Sequence, residues 1–175
     1  MGRNKIKKLT TCALLAALGV ILLYVGSILE VIDISMAVVA SLLCVIAVIE
    51  YGKGAAWSVF FATAVLGFII APPWGGFGGT LYYVAFFGFY PILKESFEKM
   101  SKVKCWICKE AVFNVCLAIM IAVLKLLLFS KVSIPIPMYA IVVVLAEIVF
   151  ILYDVALTRL ITFYIYRLRD RLKLK

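Results

Sequence analysis

Leu9 to Leu29 is an apolar run without a single charged residue. It is long enough by itself to supply the roughly 20 residues that a helix needs to cross ~30 Å of hydrocarbon. Helix breakers and charges then divide the rest of the chain into five more apolar segments. The six are approximately Leu9–Leu29, Ser35–Tyr51, Ala55–Ala71, Phe77–Leu93, Cys105–Phe129 and Met138–Tyr166. This spacing predicts an all-α polytopic membrane protein, six transmembrane helices forming one integral membrane domain over residues 1–175. A soluble fold is a poor fit, because 66% of the 175 residues are hydrophobic and only 15% are charged. That leaves too little polar surface to cover a water-exposed domain.

The connections are short and their charges are one-sided. Glu30 and Asp33 punctuate the first, Gly52-Lys53-Gly54 the second, and Pro72-Pro73-Trp74-Gly75-Gly76 the third, where proline and glycine stop a helix. Lys94–Lys104 makes the fourth and Ser130–Pro137 the fifth. Lysines and arginines gather at the N-terminus, the second and fourth connections and the C-terminus, whereas the opposite loops carry only Lys131. Both termini are therefore expected on the cytoplasmic side, with an even number of passes. The net charge of +9 is confined to the ends and loops of apolar segments, a placement that suits lipid headgroups and not nucleic acid. The basic start followed by a long apolar run reads as a retained first helix, since the run exceeds the apolar core of a signal peptide.

Histidine is absent. The usual general base, the commonest metal ligand and zinc-dependent intramembrane proteolysis go with it. Five cysteines, Cys12, Cys44, Cys105, Cys108 and Cys116, are spread in a way that suits small buried thiols better than a disulfide framework. Cys105-Trp106-Ile107-Cys108 has the spacing of a redox pair or half a metal site, but no second pair completes it. No catalytic residue, cofactor or metal is expected, and with no nucleophile–base pair in view an enzyme is disfavoured.

Small residues mark the first helix. Ala13 and Ala17 lie four apart on one face, beside Ala16 and Gly19, and such a face lets another helix approach closely, either within the chain or from a partner. The basic N-terminus, the opening Thr10-Thr11-Cys12-Ala13-Leu14-Leu15-Ala16-Ala17-Leu18, six spans in a short chain and the basic C-terminal helix resemble the substrate-binding S component of energy-coupling factor transporters. The resemblance implies a subunit of the cell membrane, that of a bacterium, which binds a vitamin or similar small solute. It further implies that Ala13 and Ala17 dock on a transmembrane coupling subunit driven by two ATPase subunits. The chain has no phosphate-binding loop of its own, so that energy would come from elsewhere.

Ionisable groups inside apolar helices are costly, by ~2.5–3.5 kcal/mol at mid-bilayer on insertion scales. Asn114 and Lys125 share one face of the fifth segment, and Glu147 and Asp154 share one face of the sixth, by the 100° step of the helix. Antiparallel neighbours would let Lys125 face Glu147, as a structural ion pair or as part of a solute site. Asp154 would lie deeper, against Asn114 or a nearby basic residue. Trp74 in its Pro/Gly loop is either an interfacial anchor or a cap that stacks on a flat ligand. Tyr82 and Tyr83 could offer hydroxyls to a solute, although most rings around them must pack or face lipid. The substrate-binding candidates are thus Trp74, Tyr82, Tyr83, Asn114, Lys125 and Glu147. The competing class is a non-transporting membrane scaffold that binds partner helices or anionic lipid.

Overall fold

A computed structural model describes residues 2–29, 31–70, 77–127 and 136–168. The chain is all-helical, with no strand among the described residues. Its helices are α1 (Arg3–Leu29), α2 (Asp33–Tyr51), α3 (Lys53–Ile70), α4 (Gly78–Tyr82), a π-helical turn (Tyr83–Phe87), α5 (Tyr90–Phe97), α6 (Lys102–Leu127), α7 (Ile136–Phe163) and a second π turn (Tyr164–Leu168). Among these residues, five helical stretches are long and apolar enough to cross a membrane: Lys5–Leu29, Asp33–Tyr51, Lys53–Ile70, Lys102–Val123 and Ile141–Arg167. The chain falls into two compact units, Met1–Trp106 and Ile107–Lys175.

Within the first unit, α1, α2 and α3 pack around a stripe of small side chains on α2. Ala37, Ala40, Cys44 and Ala47 are all buried, and their spacing of three, four and three residues keeps them on one helix face. In a bilayer, lipid tails are as apolar as leucine, so helices are held by close dispersion contacts and small residues permit them. Ala16, Val20 and Leu23 supply the facing surface of α1. Gly19 lies so close to α3 that a Cβ there would come 2.9 Å from Thr63 Cγ2, and the Thr63 hydroxyl donates to the Ala16 carbonyl at 3.4 Å. Gly52 ends α2 at φ +81°, with its N–H on the Val48 carbonyl at 2.9 Å. A side chain is strained at that angle and glycine is not.

The expected Phe77–Leu93 helix is not continuous. Pro91 has no N–H to give to the turn before it, and the chain responds with the π turn, in which Gly88 N–H bonds Tyr83 O at 2.7 Å, followed by a break at Gly88–Phe89 before α5. A Cβ on Gly88 would meet Phe60 Cδ2 at 2.6 Å, so α3 also dictates glycine at this point. The basic stretch beyond is more ordered than its charges imply. Here α5 continues to Phe97 and α6 begins at Lys102. Lys94, expected in a loop, is fully buried in α5 with Glu98 at 3.4 Å. Lys53 holds the end of α5 to the start of α3, donating to Ser96 Oγ at 2.5 Å with Glu95 at 3.7 Å.

The second unit contains most of α6, antiparallel to α7. Phe113 and Phe150 stack between them, with centroids 4.4 Å apart and planes 9° from parallel.

Candidate functional site

Polar contacts cross the α6–α7 pair on either side of the Phe113–Phe150 stack. Lys109 Nζ donates to Asp154 Oδ2 at 2.9 Å, with only 6% and 5% of the two side chains exposed. This is a closed pair: taking two charges out of water is repaid only by such direct contact. Thr158 adds a hydroxyl bond to the Asp154 carbonyl at 2.9 Å. Asn114 Nδ2 donates to Glu147 Oε1 at 2.8 Å and to the Glu110 carbonyl at 3.1 Å. This second contact is open. Asn114 is exposed and Glu147 half-buried, close to the middle of the helices that carry them. The amide and the Glu147 carboxyl thus form one partly uncovered polar patch.

The register corrects the expectation that Lys125 meets Glu147. Lys109 is level with Asp154, Phe113 with Phe150 and Asn114 with Glu147. Lys125, exposed on α6, lies eleven residues beyond Asn114, about 16 Å farther along the axis. The helix step correctly puts Asn114 and Lys125 on one face, but antiparallel packing lowers Glu147 to the level of the amide. Asp154 instead finds the nearby basic residue anticipated for it. That residue is Lys109, whose place near the basic start of α6 gives no local sign that it reaches into the helix pair.

The aromatic candidates lie in the first unit. Tyr83 is fully buried in the core, its hydroxyl 3.1 Å from Cys44 Sγ, with Phe60 tilted against it at 5.7 Å between centroids. This engaged hydroxyl does not offer itself to a solute. Tyr82 is half-buried against the same core. Trp74 lies outside the described residues. Ala13 and Ala17 are both exposed, beside buried Ala16 and Val20 on the surface of α1. Leu14, Leu18 and Ile21 flank them on the same open face.

Asp33, which punctuates the first connection, is buried at the start of α2. Its carboxylate lies against the first residues of α4: a Cβ on Gly79 would be 3.0 Å from Oδ1 and one on Gly26 3.3 Å away. The Gly78-Gly79 pair was a visible signal, since two small residues at a helix start admit a neighbouring side chain close to the backbone. Nothing in the sequence connected them to a residue more than forty positions earlier.

Fold and side chains together define an all-helical protein, with several helices long and apolar enough to span a membrane and an open amide–carboxyl patch midway along two of them. Comparison with family models, curated proteins and solved structures finds no match.

Proposed function

We propose that the chain is the solute-binding subunit of an ATP-driven uptake transporter, similar to the S component of energy-coupling factor systems. In this reading it crosses the cell membrane six times, the composite Gly78–Phe97 stretch making the fourth pass, with both termini on the cytoplasmic side. The patch formed by Asn114 and Glu147 carries the proposal. A carboxylate near mid-bilayer costs several kcal/mol if it faces lipid, and this one is only partly covered by its own chain. A solute or a water-filled approach to it supplies the missing polar surroundings. Lys125, at another level of the same face, serves a second ligand group.

Ala13 and Ala17 support the partner half of the reading. The chain's own close packing uses Ala16 and Gly19 and leaves the Ala13–Ala17 face open to a coupling subunit carrying two ATPases. One observation favours the scaffold alternative: the Lys109–Asp154 pair is closed on itself, so at least part of the polar stripe bolts α6 to α7. Copurification separates the two. A transporter subunit brings down ATPase subunits and a small molecule; a scaffold brings down neither. Ala13→Trp or Ala17→Trp then abolishes uptake and leaves solute binding intact.

A further inference from the structure

One end of the first unit gathers lysines from three separate parts of the chain. Lys8 Nζ donates to the Tyr51 carbonyl at 3.4 Å, which brings the start of α1 to the end of α2. Lys53, just beyond Gly52, bonds Ser96, which brings the end of α5 to the same place, and α6 starts five residues later. The acids here are already engaged, Glu95 with Lys53 and Lys99 and Glu98 with Lys94. Lys5, Lys7, Lys102 and Lys104 are exposed, and none has an acidic partner among the described residues. Apolar side chains are interleaved with them and equally exposed: Ile6 at 54%, Val103 at 69% and Trp106 at 43%.

A soluble anion or nucleic acid has no use for the apolar half of this surface. A membrane interface uses both halves, because tryptophan and aliphatic side chains favour the headgroup boundary while lysine stems reach through it to phosphate. We propose that this end of the first unit is a binding surface for anionic phospholipid. The Lys5, Lys7, Lys102 and Lys104 ammonium groups take headgroup phosphates, and Ile6, Val103 and Trp106 enter the acyl layer between them. The proposal needs the helices to lie in a bilayer but does not depend on solute binding.

The test is native mass spectrometry of the full chain released from nanodiscs made with equal amounts of dioleoyl phosphatidylglycerol and dioleoyl phosphatidylcholine. The expected result is at least about fivefold enrichment of the anionic lipid on the protein, the effect of roughly one lysine near an anionic surface. The K5Q/K7Q/K102Q/K104Q variant returns to the ratio of the mixture, and the matching four-arginine variant keeps the enrichment. Raising the salt weakens the enrichment in the parent protein as screening shortens, a readout independent of whether the glutamine variant folds. Equal retention of the two lipids by the parent overturns the proposal, as does enrichment that survives the glutamine changes. Enrichment lost to millimolar inorganic phosphate at constant ionic strength overturns it too, by assigning the surface to a soluble anion.

Discussion

Replacing Lys109 with methionine takes from the Asp154 carboxylate its ion-pair partner 2.9 Å away, in a place where both side chains are at least nine-tenths covered. At an effective dielectric of about 20 the gross attraction at that distance is about 6 kcal/mol. Much of it offsets desolvation, so the pair itself is worth far less than this figure. The cost of breaking it from one side is different, because the remaining buried charge keeps its desolvation penalty: Lys109→Met and Asp154→Leu are each expected to destabilise the protein by about 3–5 kcal/mol. The double variant removes both charges and fills the space with apolar atoms, so it is expected to lie within about 1 kcal/mol of the parent or above it. The two single changes are then strongly non-additive, the signature of direct contact. Reversible unfolding in mixed micelles of mild detergent and dodecyl sulfate, followed by circular dichroism, measures all four corners of the cycle. Single variants costing under about 1 kcal/mol, or a double variant as damaged as their sum, would refute the closed-pair reasoning.

Glu147→Ala and Asn114→Ala are expected to weaken binding of a retained solute by at least about tenfold, the loss of one charge-assisted hydrogen bond, measured by titration of the purified protein. Lys125→Ala also weakens it, but a double-mutant cycle with Glu147→Ala is additive because the two lie about 16 Å apart along the helices. Gly88→Ala, whose methyl group would overlap the Phe60 ring, lowers stability by about 1–3 kcal/mol in the same unfolding assay. Tyr83→Phe deletes the hydroxyl beside Cys44 and costs about 0.5–1.5 kcal/mol, with solute affinity unchanged.

Most of the helical framework was legible because a long apolar run has one stable form in lipid, where every backbone group must be satisfied within its own helix. The limits of α2 and α3 follow from Gly52-Lys53-Gly54, which needs no knowledge of tertiary packing. Phe77–Leu93 was harder. Its apolar pattern is continuous, but a π turn and a two-residue break before Pro91 interrupt the helix, and only the proline is visible locally. The alanines of α1 were legible as a close-packing signal and ambiguous about what packs: Ala16 faces inward while Ala13 and Ala17 do not. The longer small-residue stripe of α2, Ala37 to Ala47, carried the same signal and does the internal packing.

The candidate site was legible by face but not by level. Helix periodicity groups Asn114 with Lys125 and Glu147 with Asp154, yet the depth at which two helices meet depends on a connection whose length alone does not set the register. A shift of eleven residues exchanges an expected Lys125–Glu147 pair for Asn114–Glu147, and brings in Lys109 to hold Asp154. Tyr83 illustrates the same limit in the first unit, since its burial depends on Cys44 from a helix far away in sequence.

Native mass spectrometry of the chain, extracted gently from its own membrane with whatever accompanies it, tests solute capture most directly. The transporter reading predicts a mass increment from a small molecule that Glu147→Ala removes, together with complexes containing a transmembrane subunit and two ATPase subunits that Ala13→Trp removes. A bare chain, with neither increment nor ATPase and unchanged by both substitutions, would contradict it.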